Sequence, residues 1–283
     1  MDTSALHGLP RQALLTATLL LLAPCAQADL MLYPTRVVLD NPQRAAQVEL
    51  INQGRTPETY RISLVNRRMS ETGQFSPADT PAPGEQPADA MLRFSPRQVT
   101  LPPGGSQTVR ILLRKPADLA AGEYRSHLQF DRVADADASN SVEQAGQRPA
   151  ADIGVVLTAL VGASIPVIVR HGDGGATVAL SGLALQAPTA GAEPVLDFTI
   201  QREGNRSVYG DLSVTFTARG GAPVDLAKAG GVAVYVPNPL RRARMPLQVP
   251  AGTRLADGVL RLVYRERTEA GGKVLAEASL PLP

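Results

Sequence analysis

The sequence predicts an all-β chain built as two antiparallel β-sandwich domains, and three observations predict it. Apolar and polar residues alternate over short runs, such as Gln47–Leu50, Tyr60–Val65, Gln107–Leu113 and Tyr124–Phe130, the period of half-exposed strands. Clusters of turn formers, among them Asn52-Gln53-Gly54, Pro102-Pro103-Gly104-Gly105 and Ala120-Ala121-Gly122, separate these runs. Removing residues 1–28 from the 283 leaves 255, more than one sandwich needs and about right for two.

The first 28 residues read as a cleavable secretory signal. Arg11 supplies the charge, Ala13–Ala23 the apolar run and Ala26-Gln27-Ala28 the small-residue site, with Asp29 the new N-terminus. The run is shorter than the roughly 20 residues a spanning helix needs. Cys25 invites a lipid-anchor reading, but Pro24 stands where a small residue is wanted, so cleavage is favoured. No later stretch is long and apolar enough to cross a membrane, so an exported protein without membrane insertion is expected. The single cysteine leaves with the signal, and the mature fold must rest on its apolar core rather than on disulfides. A net charge of +2 with no concentrated basic face argues against nucleic-acid binding.

The Pro-rich stretch 76–89 has no period and reads as a surface loop. His171-Gly172-Asp173-Gly174-Gly175 reads as a hinge, dividing an N-terminal domain, 29–170, from a C-terminal one, 171–283. Strand-like runs resume beyond it at Thr177–Leu185, Val195–Gln201, Asp211–Thr217, Val232–Val236, Val259–Tyr264 and Val274–Leu280.

One segment breaks the alternation. In Ile153–Val161 both parities are apolar: Val155, Leu157, Ala159 and Val161 on one side, Val156 and Leu160 on the other. Such a run is either a central strand buried on both faces or an edge strand kept apolar for a partner. Pro166 in its continuation and the polar stretch Ala134–Asp152 before it favour the edge, where a proline costs no ladder bond.

The block Phe94-Ser95-Pro96-Arg97-Gln98-Val99-Thr100-Leu101-Pro102-Pro103-Gly104-Gly105-Ser106-Gln107-Thr108-Val109-Arg110 resembles the signature of periplasmic pilus-assembly chaperones of the chaperone–usher pathway. Tyr33–Leu39, Leu50-Ile51-Asn52-Gln53 with Tyr60, and Ser164–Arg170 are similar to that family as well. The resemblance implies two immunoglobulin-like sandwiches held at a fixed angle. It implies a periplasmic chaperone that lends a strand, about 153–169, to an incomplete fimbrial or pilus subunit in a 1:1 complex, then delivers it to an outer-membrane usher. It implies groove-filling side chains Val155, Leu157, Ala159 and Val161, with Val156 and Leu160 toward the protein's own core. Arg36 matches an arginine that holds the subunit's C-terminal carboxylate. Pro166 stands where the family has its partner lysine, which leaves Arg170 as the nearest basic candidate. Arg110, Glu123 and Glu269 fall on an interdomain ion-pair network. The long stretch before the donor run is similar to the family's extended-donor branch.

Catalysis is not expected. The mature chain has two histidines, His127 and His171, no cysteine and no histidine–carboxylate cluster with metal-ligand spacing, so no metal or cofactor is expected. Gly104-Gly105 lacks the strand–loop–helix setting of a phosphate cradle, and Arg241-Arg242-Ala243-Arg244 reads as a solvated turn. A structural reading, a pilus subunit or two-domain surface component, stands as the alternative; it would want an N-terminal extension longer than the one before Leu30. A sugar-binding sandwich lacks an aromatic platform, since tryptophan is absent. An exposed apolar edge also admits self-capping by dimerisation in the free protein.

Overall fold

The computed structural model describes residues 30–133, 162–186 and 193–283. The expected signal segment and the donor positions Val155, Leu157, Ala159 and Val161 lie outside them.

The described chain is all-β, with two antiparallel sandwiches in succession. In the first, β1 (Leu30–Tyr33), β3 (Ala45–Asn52), β9 (Ser106–Leu113) and β7 (Leu92–Ser95) form one sheet in the order β1-β3-β9-β7. Facing it, β2 (Val37–Leu39), β11 (Gly162–His171), β10 (Gly122–Arg132), β4 (Glu58–Val65) and β8 (Gln98–Leu101) form the sheet β2-β11-β10-β4-β8. A hairpin, β5 (Arg67–Met69) and β6 (Phe75–Pro77), leaves the end of β4. The second sandwich packs β12 (Ala176–Gln186), β13 (Val195–Gly204) and β16 (Leu240–Pro246) against β15 (Val224–Val234), β14 (Val208–Ala218), β17 (Gly258–Glu266) and β18 (Val274–Leu282).

Alternation explains these strands. In β14, Leu212, Val214 and Phe216 are buried while Ser213 and Thr215 lie between them on the other face. In β13, Leu196, Phe198 and Ile200 alternate with Asp197 and Thr199 in the same way. The first core gathers Leu39, Val48, Leu50, Ile111, Leu128 and Phe130, all almost fully buried. Each large side chain taken from water contributes roughly 1.5–3 kcal/mol, so the two cores carry the fold without a cross-link. Asn52 pins the turn expected after β3: its amide donates to the carbonyls of Thr56 and Leu101 and its oxygen accepts from Gly54 N–H.

Two elements differ from expectation. The basic run Arg241–Arg244 is part of strand β16, not a turn, and receives the β5–β6 hairpin of the first sandwich. Arg242 N–H donates to the Glu71 carbonyl at 2.7 Å, and its side chain pairs with the Glu71 carboxylate at 2.8 Å. Gly73, at φ 84°, leaves room there for Arg241, whose guanidinium would meet a Cβ at 2.4 Å. The Pro-rich stretch 76–89 begins inside β6 and ends at a short 3-10 turn, Asp89–Met91, and Ala78 and Ala88 within it are buried.

Candidate functional site

The site begins with a strand that changes sheets. The sequence Leu30–Tyr33 pairs antiparallel with β3 as β1; the chain bends at Pro34–Thr35 and re-enters the opposite sheet as β2. There it pairs parallel with β11, Val37 opposite Val167, Val38 opposite Ile168 and Leu39 opposite Val169. Strand β10 covers the other flank of β11 along its whole described length, from Gly122–His171 to Asp131–Gly162. Among the described residues, β11 from Gly162 to Pro166 therefore has a neighbour on one flank only. Pro166 sits on that half-open stretch, opposite His127, where a missing N–H is tolerated. Arg36 is the residue immediately before the β2 pairing, at the point where the open flank begins.

The parity of β11 is settled by its contacts. Ile165, Val167 and Val169 enter the first core, and Ile168 faces outward onto Met69, Ala233 and Tyr235. The odd positions are thus the core-facing ones. Val156 and Leu160, expected to face the protein's own core, lie outside the described residues.

The outward face of the β2–β11–β10 sheet meets the second sandwich. Alternate residues of β10, Glu123, Arg125, His127 and Gln129, share that face. Arg125 stacks on Tyr235, its Cζ 4.3 Å from the ring centroid. Arg36 lies 5.5 Å from Tyr235 and 4.5 Å from Tyr209, and Arg267 lies 6.0 Å from Tyr209, so cations and rings alternate across the boundary. His127 is buried with both ring nitrogens lacking a hydrogen-bond partner, edge-on to Phe75 at 5.2 Å. Burial first, then the charges of Arg125 and Arg67, lower its pKa to about 3, so it is neutral at ordinary pH. A buried neutral ring with nothing to exchange protons with is a packing group, not a base.

Between the domains, beside this stack, opens a cleft of roughly 610 Å³. Arg36, Arg170, Arg206, Tyr209 and Arg267 line it. Buried nitrogens without a hydrogen-bond partner also occur on Arg67, Arg125 and Arg241, but among the described arginines lining the cleft only Arg36 has them, at Nε and Nη1. Burial pulls its pKa below the usual arginine value, although Tyr235 and Glu123 favour the charge. A guanidinium nonetheless stays protonated in proteins, so the site holds a desolvated cation with two free donors aimed at nothing.

Arg170 is spent elsewhere. It stands opposite Glu123 in the β10–β11 register, and its Nε donates to Glu123 Oε2 at 3.0 Å. Glu123 also accepts from Ser207 N–H at 3.1 Å and from the Ser207 hydroxyl in a shorter bond. Asp40 lies 3.8 Å from the Arg170 Nη1, and Lys115 donates to the Arg170 carbonyl at 2.8 Å. Arg206 closes the knot, donating to the Gly122 and Gly172 carbonyls across the hinge. Of the three residues expected in an interdomain network, Glu123 is its centre. Arg110 is not in it: the side chain is exposed on β9, in the opposite sheet, because it falls on the solvent parity between buried Val109 and Ile111. Glu269 lines the cleft but pairs with Arg267 at 3.4 Å on the surface, rather than joining Glu123.

Sequence reasoning missed Ser207, Arg206, Tyr209, Tyr235 and Arg267, which come from the second sandwich and carry no local signal. The polar parity of β10 is the one local signal for this face, since Glu123, Arg125, His127 and Gln129 recur at every second position of a strand otherwise buried.

No family model matches the chain, and no curated protein matches it in sequence. Solved structures similar to it include pilus chaperones and complexes that contain them. One is the YadV chaperone, 13% identical, with a TM-score of 0.45 over 90% of this chain and 100% of that one. Another is the CsuC–CsuE chaperone–tip adhesion subunit pre-assembly complex from archaic chaperone–usher Csu pili of Acinetobacter baumannii, 12% identical, TM-score 0.45, over 88% and 98% of the two chains. A third is the Salmonella enterica SafA pilin in complex with the SafB chaperone, 14% identical, TM-score 0.41, over 89% and 96%.

Proposed function

We propose that the protein is a periplasmic assembly chaperone. It seats an incomplete pilus-type subunit along the open flank of β11, takes the subunit's C-terminal carboxylate at Arg36 and hands it to an outer-membrane usher. One observation supports this above the others: the parallel pairing of β2 stops at Val37–Val167, and the next residue back is a buried guanidinium without a partner.

The direction of the chain follows from that. A strand laid parallel on the open flank runs in line with β2 and ends where β2 begins, so its C-terminus arrives at Arg36. There its carboxylate meets two unspent N–H donors, a charge-assisted pairing of the strong kind. An antiparallel strand would bring an ammonium or a peptide N–H to the same point, which a cation rejects. Main-chain bonds to the free edge of β11 supply affinity for any sequence, and side chains at alternate positions supply the selection.

Val155, Leu157, Ala159 and Val161, outside the described residues, share by count the odd parity of Ile165, Val167 and Val169. Side chains of that parity offered to a partner groove would extend the first core into the partner's core instead of forming a separate contact. Each large one contributes roughly 1.5–3 kcal/mol on burial, so two or three outweigh the carboxylate contact in affinity, while the carboxylate sets the register.

The test is co-expression with a candidate exported subunit, followed by isolation of a 1:1 complex. Leu157→Asp and Val161→Asp should each abolish the complex and leave the thermal unfolding of the free protein unchanged. A complex that survives both substitutions refutes strand donation by this segment.

A further inference from the structure

We infer that Arg267, from the second sandwich, is the other half of the carboxylate site at Arg36. The inference rests on the proposed seating of a partner's C-terminus at Arg36.

The argument is an accounting of the cleft's cations. Among the described residues, four arginines line it: Arg36, Arg170, Arg206 and Arg267. Arg170 is committed to Glu123, whose side chain is 1% exposed, and to Asp40 and the Ser207 carbonyl. Arg206 is committed to the Gly122 and Gly172 carbonyls. Withdrawing either would strand a buried acceptor, which costs more than a new surface contact returns. Arg267 is bound differently. Its Nε reaches Glu269 at 3.4 Å, but Glu269 is 75% exposed and Arg267 40%, and an exposed pair of that kind contributes little. Its Nη1 makes only a long contact, 3.5 Å, to the Tyr209 hydroxyl. Its guanidinium can therefore be redirected at small cost.

Position completes the case. Both guanidiniums lie against Tyr209, Arg36 at 4.5 Å from its ring centroid and Arg267 at 6.0 Å, and both line the same cleft. An anion entering beside that ring meets Arg36 from the first sandwich and Arg267 from the second. Arg170, held by Glu123, supplies no second donor, so the pair is built across the domain boundary instead of along one strand. Binding would then tie the two sandwiches together through the ligand, and Glu269 would act as the competitor that holds Arg267 while the site is empty.

The probe is a labelled peptide of about twelve residues, alternating valine and threonine so that it can pair as a strand. It is made with a free or an amidated C-terminus and titrated by fluorescence anisotropy against the full mature chain. The wild-type protein should prefer the free carboxylate. Arg267→Gln should cut that preference about tenfold, the worth of one charge-assisted hydrogen bond, with unfolding temperature unchanged. Arg267→Lys should restore part of it, and Glu269→Gln should raise it above wild type by releasing Arg267. Arg170→Ala should leave the preference as it was while lowering stability. If Arg267→Gln keeps the full preference and Arg36→Ala removes it, the assignment of Arg267 is wrong and the reading of Arg36 stands. If the wild-type protein binds acid and amide alike, or binds neither, the carboxylate seat itself is wrong and the inference falls with it.

Discussion

Two arginines line the same cleft and have opposite fates. Arg170 faces Glu123 across a strand pair and is bonded on every side, to Glu123, Asp40 and the Ser207 carbonyl. Arg36, at the edge of the neighbouring strand, has two buried donors and no acceptor. The same residue type therefore serves two ends. One arginine is part of the knot that holds the sandwiches in a single arrangement. The other is left short of a partner, and that shortfall is free energy a ligand can recover. A buried cation with no acceptor is costly, and an acceptor supplied by a ligand removes that cost.

The comparison can be broken from the side of the knot first, where the largest effect is expected. Glu123→Ala strands Arg170 and leaves Ser207 without its acceptor, so a loss of about 3–5 kcal/mol in chemical denaturation is expected, as for a broken buried pair. A loss below about 1 kcal/mol would mean the knot is ornamental. On the open side the prediction has the other sign. Arg36→Ala gives up its stacking on Tyr209 and Tyr235 but relieves a desolvated charge, so stability should shift by no more than about 1 kcal/mol. The same change should weaken capture of a subunit by at least about tenfold. If the free protein unfolded far more easily and capture were untouched, Arg36 would be a structural residue and the contrast would collapse.

Acid sharpens it further. The His127 pKa is lowered to about 3 by burial beside Arg125 and Arg67, against an ordinary value of 6.5. The unfolded chain therefore binds a proton that the folded one refuses. Stability is full above about pH 6.5 and falls as pH drops toward 3, at up to about 1.4 kcal/mol per pH unit. Unfolding temperatures between pH 3.5 and 6.5 should fall more steeply for wild type than for His127→Leu; parallel curves would show that His127 is not held neutral. The smallest effect belongs to Arg110, which is exposed on the far sheet: Arg110→Ala should change stability by less than about 0.5 kcal/mol.

How much of this was legible depends on how far apart the interacting residues lie. The strands of both sandwiches are local events: Tyr60–Val65 alternates because β4 has a wet face and a dry face, and Tyr124–Phe130 alternates because β10 gives one face to the core and its polar face to the second sandwich. Pro166 pointed to an edge, and among the described residues β11 has a neighbour on one flank only from Gly162 to Pro166. Glu123 was found through a resemblance, but its partner was not, because Arg170 is chosen by cross-strand register and Ser207 by a contact 84 residues away. Arg110 was misassigned for the complementary reason. Its place in a motif says nothing about which face of β9 it takes once Val109 and Ile111 claim the core. The run Arg241–Arg244 looked like a charged turn because one parity of β16 is basic, and only the docked hairpin explains why those charges are there.

By itself the sequence determined the all-β class, the two-sandwich division, the turns and the apolar run that ends in a proline, since each depends on residues a few positions apart. The tertiary structure alone decided that, among the described residues, Arg36 and not Arg170 is the cleft arginine without an acceptor, and that Arg267 of the other domain lies against the same tyrosine ring. Hydrogen-bond satisfaction is a property of all the groups brought around a side chain. Those groups, Glu123, Ser207, Tyr209 and Arg267, come together only when the two sandwiches pack against each other.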